Sequence, residues 1–557
     1  MKSGKSKANT VGFPFFFVLI FSTTAAAQHA LHSIPAIPQE LLERPVTLRT
    51  GIGVVHDDAG TKNAEAQRFY DQGLAYLHNY VWIEAARSFH QALRLDSQLA
   101  LAHVGLSYAY IELNNPAQAG QAIAAAQKLA ANAADLSAEA RSAKADHVKR
   151  HVAARSLQMA AEEAPGDPSK LAAYRKSLDA AIAAFPDDTE FLLRRGMAES
   201  PDPADRGQGS VLGSIAYYER VIKKPEPSAA PGIWPANHFL AHAYENSGRI
   251  KEAEAAAAAY AAQNPGVPHA VHMHGHELRR LGRVNEAIAR FEAADKLQRD
   301  YMAREKIAAE LDWHHAHNLD LLAASYQYTG QMKKAEALLK RSFNLPTNLL
   351  VQAVNKREWP VFLGARNRPA EALAAARQLL AHPNLVVQAT GHIEAGFAQL
   401  AMNKPADAAT SSNAALKAMR SARGAQGLAA IALEALQGEF NLRTAQRDKG
   451  RAMIESAATK WRSLPGPDAW SQSLFRLEAL ARSARAVGDW SLAARLAQLM
   501  LEHDSNYAGT HLALGLVSHH NSGTSATTLR EFALAEKAWA NADKDLAELK
   551  MISDLRR

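Results

Sequence analysis

The chain has 557 residues, with 63 Lys and Arg against 56 Asp and Glu, a formal charge of +7 and no cysteine. So mild a balance makes no electrostatic case for nucleic acid, which usually needs a basic face. The missing thiols exclude disulfides, thiolate metal sites and cysteine nucleophiles together, so any metal must be held by imidazole, carboxylate or backbone groups.

In chain order the first element is a targeting signal. Lys2, Lys5 and Lys7 precede the apolar run "VGFPFFFVLIF", and Ala25 and Ala27 stand just before Gln28. This three-part pattern predicts a secretory signal peptide over 1–27, cut after Ala27, and hence a periplasmic or secreted protein. Its three lysines carry away part of the charge, leaving +4 on the mature chain. The run is too short to span a bilayer, and no other stretch approaches transmembrane length.

The rest reads as almost all helix, because alanine and leucine abound and apolar residues recur at helical spacing. A repeat of 34 residues is superimposed on that helical pattern. Gly73, Tyr76, Ala85, Phe89 and Ala92 follow the small-and-aromatic pattern of a tetratricopeptide repeat (TPR), and Ser107, Tyr110, Ala119, Ile123 and Ala126 repeat it. Mid-chain, the pattern returns as Ala241, Tyr244, Gly248, Ala253 and Ala257, and again as Gly275, Leu278, Gly282, Ala287, Phe291 and Ala294. After a 14-residue insertion a third copy gives Ala323, Tyr326, Gly330, Ala335 and Leu339. Gly248, Gly282 and Gly330 fall where the first helix of each unit must end in a left-handed cap. The expected fold is an all-α, TPR-type helical solenoid, a superhelix of antiparallel helix pairs.

The expected organisation is an N-terminal extended segment over 28–62 and a TPR pair over 63–133. An irregular helical region with a Pro/Gly-rich linker follows over 134–235, then central units over 236–346 and divergent helical repeats over 347–557. The linker's "GQGSVLG" lacks the preceding strand and the spacing of a nucleotide loop and reads as a plain loop. No HExxH or GxSxG motif occurs.

The chemistry-bearing feature is a set of histidines around "HAVHMHGH". With the small residue of each first helix as position 8, positions 2, 5, 9 and 12 share one face, since steps of three and four stay on one side of a helix. In the central units that stripe reads Pro235, His238, His242, Glu245; then His269, His272, His276, Arg279; then His317, Asp320, Ala324, Gln327. Six of these twelve are histidine, where 23 in 557 residues would supply about half of one by chance. The register rests on alanines, glycines and aromatics, so the coincidence is not circular. His274 falls off the stripe. His314 and His315 read as local structural residues, and His78, His90, His103, His147, His151, His519 and His520 as surface or packing residues.

Histidines at i and i+4 can clamp one ion, and imidazole with carboxylate suits zinc, copper or iron. The predicted metal ligands are His238, His242, Glu245, His269, His272, His276, His317 and Asp320, enough for one or two transition-metal ions. A metal-free groove that presents polar and aromatic side chains to a peptide is the other reading.

The motifs "HFLAHAYE", "HAVHMHGH" and "HN" (His317, Asn318) resemble those of a bacterial group of exported TPR proteins over roughly residues 205–345. The resemblance implies a shared site and secretion, and names no reaction. It departs at Asp320, where many relatives have histidine, and at His274, where relatives often have proline. Two functions follow as expectations: an exported solenoid holding transition-metal ions, as a metal-dependent enzyme or a store, or an adaptor for a peptide or protein partner in the envelope.

Overall fold

A computed structural model describes residues 37–132, 138–223, 233–347, 349–422, 427–464 and 467–557. The segment expected to be a signal peptide, 1–27, lies outside these. Among the described residues there is helix and no strand, and no helix is long and apolar enough to cross a membrane.

After a single helical turn, α1 (Gln39–Leu42), come α2 (Ala64–His78), α3 (Trp82–Leu95), α4 (Ala100–Glu112) and α5 (Pro116–Asn132). The stretch expected to be irregular holds α6 (Ala138–Glu163), α7 (Pro168–Ala184), α8 (Thr189–Met197) and α9 (Ile215–Ile222), with a loop before α9. The central units are α10 (Trp234–Asn246), α11 (Ile250–Gln263), α12 (Pro268–Arg280), α13 (Val284–Glu305), α14 (Trp313–Tyr328) and α15 (Met332–Asn344). Further helices run from Leu350 to Leu555. Each helix packs mainly on its sequence neighbours, and the first helix α12 also touches the first helices α10 and α14 on either side. That is a TPR-type solenoid.

The small residues explain the close approach. A Cβ placed on Gly73 or Gly105 would fall within 2.5 Å and 2.3 Å of the Phe89 ring, which therefore wedges between α2 and α4 only because both positions are glycine. Gly275 does the same for Phe291, at 2.8 Å. Helix starts are fixed by side-chain acceptors on orphan backbone N–H groups: Asn63 caps α2, Asp188 caps α8 and Asp312 caps α14. Helix ends use the left-handed region, with φ +76°, +76° and +77° at Gly248, Gly282 and Gly330.

Repeat position 15 is not always glycine. Tyr80 occupies it in the first unit with φ 57°, a conformation that is strained for a bulky side chain. The turn between α2 and α3 does not lie open. Asn79 Nδ2 donates to the Ile52 carbonyl (2.9 Å) and to Asn264 Oδ1 (3.1 Å), Tyr260 Oη donates to Asn79 Oδ1 (2.7 Å), and Tyr80 Oη donates to the Arg206 carbonyl (2.8 Å). This corner of the N-terminal pair is thus plugged into the central repeats through Asn264 and Tyr260.

Two large apolar cores result. One joins the N-terminal pair to α10, α11 and the front of α12 through Ala270 and Met273; the other begins at Leu278 on the same helix and continues to the C-terminal repeats. The histidines of α12 sit at the seam.

Gly275→Ala should force Phe291 (0 % exposed) to shift and cost about 1–3 kcal/mol in urea unfolding, the usual penalty of overpacking. Gly120→Ala, where a Cβ meets nothing within 4 Å, should be neutral or stabilising. Equal effects of the two substitutions would contradict the wedge.

Candidate metal centre

The contact between α10, α12 and α14 turns the one-dimensional stripe into two three-dimensional groups. His238, His242 and His269 form one and His272, His276 and His317 the other, with the ligand atoms of each group all within 4.8 Å of one another. In the first, His238 Nε2 lies 3.1 Å from His269 Nε2 and 3.2 Å from His242 Nε2. In the second, His276 Nε2 lies 2.6 Å from His272 Nε2, and the His317 ring centroid is 4.8 Å and 5.8 Å from those of His272 and His276. Nitrogens bound tetrahedrally to one zinc at the usual bond length stand about 3.3 Å apart, so the first group is already close to ligand spacing. The two groups abut, with the rings of His269 and His272 6.1 Å apart.

Proton placement shows what these contacts mean. His238 Nδ1 lies 2.7 Å from the His78 carbonyl, which can only accept, so the proton of the neutral ring is on Nδ1 and Nε2 presents a lone pair. His272 Nδ1 lies 2.7 Å from Asn318 Oδ1, and Asn318 is held in that orientation because its Nδ2 donates to the Phe291 carbonyl (3.0 Å). His272 Nε2 therefore also carries a lone pair toward its group. Carbonyl and amide oxygens behind metal-binding imidazoles are the usual outer partners that fix tautomer and ring direction.

The other rings do not complete a hydrogen-bonded network. His269 Nδ1 and His276 Nδ1 are buried with no hydrogen-bond partner, so whichever nitrogen holds the proton, each ring leaves a polar atom unmatched. Such groups are costly. A cation at the meeting point of the Nε2 atoms would accept the lone pairs aimed there.

Burial keeps the rings neutral. His238, His272, His276, His269 and His242 are 0, 0, 3, 4 and 7 % exposed. Burial first, then the neighbouring imidazoles, holds His269, His272 and His276 well below the ordinary histidine value. Burial and then His317 bring His242 down to about 4.

Aromatic side chains seal the site. The Tyr80 ring packs on His238 and His269 with centroids 4.7 Å and 5.0 Å away, its carbonyl accepts from Trp313 Nε1 (3.0 Å), and Trp313 stacks on Trp82 at 5.1 Å. The strained backbone of Tyr80 thus buys a lid that glycine would not supply. Beside the lid lies a cavity of about 450 Å³ whose wall includes Tyr76, Trp82, Tyr301, Trp313, His269 and His314, a volume suited to a small molecule.

The structure gathers His238, His242, His269, His272, His276 and His317 into the two groups and leaves Glu245 and Asp320 outside both. Glu245 pairs with Arg280 (3.1 Å). Asp320 lines a small cleft with Gln327, Asn355 and Gln472 and sits in the field of Lys356. His274 points away to Glu254 (3.1 Å), and His315 Nε2 accepts from Arg341 (3.1 Å).

His314 is different. Its ring lies 4.7 Å from His272 and 5.2 Å from His269, its Nδ1 donates to Gln298 Oε1 (2.8 Å), and its Nε2 is buried with no partner. Gln298 is fixed by its own donation to Asp312 (2.7 Å). The signal for His314 was its place three residues before His317, one turn along the same face. Tyr80 gave no signal, because its role depends on a contact across more than 150 residues of chain.

No family model matches the chain, and no curated protein matches it. Among solved structures it is similar to a chain of the APC/C hetero-tetramer Cut9-Hcn1, at 11 % identity over 90 % of each chain with a TM-score of 0.30, a likeness too loose to bear on function.

The neutral rings make stability pH-dependent. An unfolded His242 titrates near 6.5 and the folded one near 4, so between those values the unfolded chain binds more protons. The contribution is complete above 6.5 and is lost as the pH falls toward 4. Metal-free wild type should therefore lose roughly 3 kcal/mol more stability than His242→Gln between pH 7 and pH 4 in urea unfolding. Parallel pH profiles would contradict a buried neutral His242.

Proposed function

We propose that the protein is an exported TPR solenoid that binds two transition-metal ions, one in each three-histidine group, and brings a small molecule to them through the adjoining cavity. The observation that carries this reading is the convergence of Nε2 atoms in a buried seam, with the lone pairs of His238 and His272 fixed toward their groups and other ring nitrogens left unmatched. Three imidazoles and no carboxylate in a group favour zinc or copper over iron. Three protein ligands leave a fourth position for a water or a substrate, the arrangement of catalytic rather than structural zinc.

The chain's own residues have distinct parts in this reading. His78 (through its carbonyl) and Asn318 orient the ligand rings. Tyr80, Trp82 and Trp313 exclude water. His314, with its lone pair buried at the cavity wall, is placed to take a proton from the bound molecule. Zinc would suit hydrolysis and copper would suit redox chemistry.

The adaptor reading is less well supported at this site. A peptide running along the histidine stripe would have to displace the Tyr80 and Trp313 rings, which are held by hydrogen bonds at 2.8 Å and 3.0 Å.

By elemental analysis, untagged mature protein should carry about two more zinc or copper ions per chain than His238→Gln/His272→Gln does. His238→Gln should remove one of them and His272→Gln the other. Protein that stays folded, takes up no more metal on reconstitution than His238→Gln/His272→Gln and captures an envelope partner would overturn the proposal. Asn318→Ala should weaken binding in the His272 group about 10–100-fold while the His238 group keeps its affinity. Equal weakening of both would contradict the orienting role of Asn318.

A further inference from the structure

A third group of ligand-type side chains lies outside the central repeats. Asp57, in the segment before α2, meets His147 and His151, one turn apart on α6, and Asp188, the cap of α8, with all four ligand atoms within 4.8 Å of one another. His147 Nε2 is the hub. It stands 2.7 Å from Asp188 Oδ2, 3.1 Å from His151 Nε2 and 3.6 Å from Asp57 Oδ1. These separations bracket the roughly 3.3 Å expected between ligands of one tetrahedral zinc.

One N–H cannot serve three partners. If His147 Nε2 donates to Asp188, Asp57 gains no bond from it, and His151 Nε2 is left facing the same proton. A cation placed among the four atoms would neutralise two carboxylates and accept two imidazole lone pairs at once. The side chains of His147, Asp57 and Asp188 are only 12, 10 and 10 % exposed, so water does little of that work.

The four groups are also held in place from behind, as ligands usually are. Tyr70 Oη donates to Asp57 Oδ2 (2.8 Å), and Asp188 Oδ1 accepts the Phe191 N–H (2.8 Å), leaving Oδ2 for the cluster. The His151 ring stacks on Phe191 at 3.9 Å, and His147 packs edge-on against Phe185 at 5.2 Å. Neither ring can swing away without breaking aromatic packing.

We propose that Asp57, His147, His151 and Asp188 form a separate zinc site whose ion ties the segment before the first repeat to α6 and to the start of α8. Two nitrogens and two carboxylate oxygens fill a tetrahedral shell with no open position, which is the form of a structural site. The ion clamps three stretches that are distant in sequence, so its binding energy adds to folding. This site does not depend on the reading of the central histidines.

Full-length mature protein, stripped with chelator and titrated with zinc, should show one binding class that His147→Gln/His151→Gln deletes and that His238→Gln/His272→Gln leaves in place. Zinc should raise the melting temperature of the second variant and not that of the first through this class. A second measurement uses the wild type alone: diethyl pyrocarbonate should modify His151 in stripped protein, read by peptide mass, and zinc in excess over all three histidine groups should protect it. Unchanged zinc stoichiometry in His147→Gln/His151→Gln would overturn the proposal. So would an absence of protection in the wild type, which would leave a plain histidine–aspartate ion-pair network.

Discussion

The His78 carbonyl holds the proton of the His238 imidazole on Nδ1, and the rest of the central site is arranged around the lone pair this leaves on Nε2. Two further Nε2 atoms crowd that lone pair at 3.1 Å and 3.2 Å. Beside them Asn318 imposes the same tautomer on His272. In water such rings would find partners freely. In a seam sealed by Tyr80 and Trp313 they have only one another, and neutral imidazoles cannot all donate and accept in a ring of three without leaving atoms unmatched.

The solenoid supplies the conditions for this. Glycine and alanine at position 8 let the first helices of successive units approach, and Phe291 can lie under His272 at 5.1 Å because Gly275 makes room for it. The helix pairs alone would leave an open concave face. The corner at Asn79 and Tyr80, pinned to Ile52, Asn264 and Arg206, closes it over the first histidine group. A TPR groove is ordinarily a docking surface; here part of it has become an interior, with a cavity of about 450 Å³ beside it.

Much of this was legible in the sequence, because it depends on short-range periodicity. Gly248, Gly282 and Gly330 set the helix ends, and the stripe of positions 2, 5 and 9 placed six histidines on the faces that meet. What the sequence could not show depends on long-range packing. Glu245 lies on the same stripe but pairs with Arg280. Asp320 is one turn beyond His317 and belongs to neither group. His314 reads as local from its position at the start of α14, and only the packing of that helix brings its ring against His269 and His272. His147 and His151 read as packing residues because Asp57 and Asp188, which join them, come from segments up to 131 positions apart.

The central claim is that the imidazoles of α10, α12 and α14 share metal ions rather than protons. X-ray absorption at the zinc or copper edge of the metal-loaded protein tests it most directly. A first shell dominated by nitrogen at about 2.0 Å, with the outer-shell scattering of several imidazole rings per ion, is the predicted spectrum. A shell of oxygen without imidazole scattering would contradict the account.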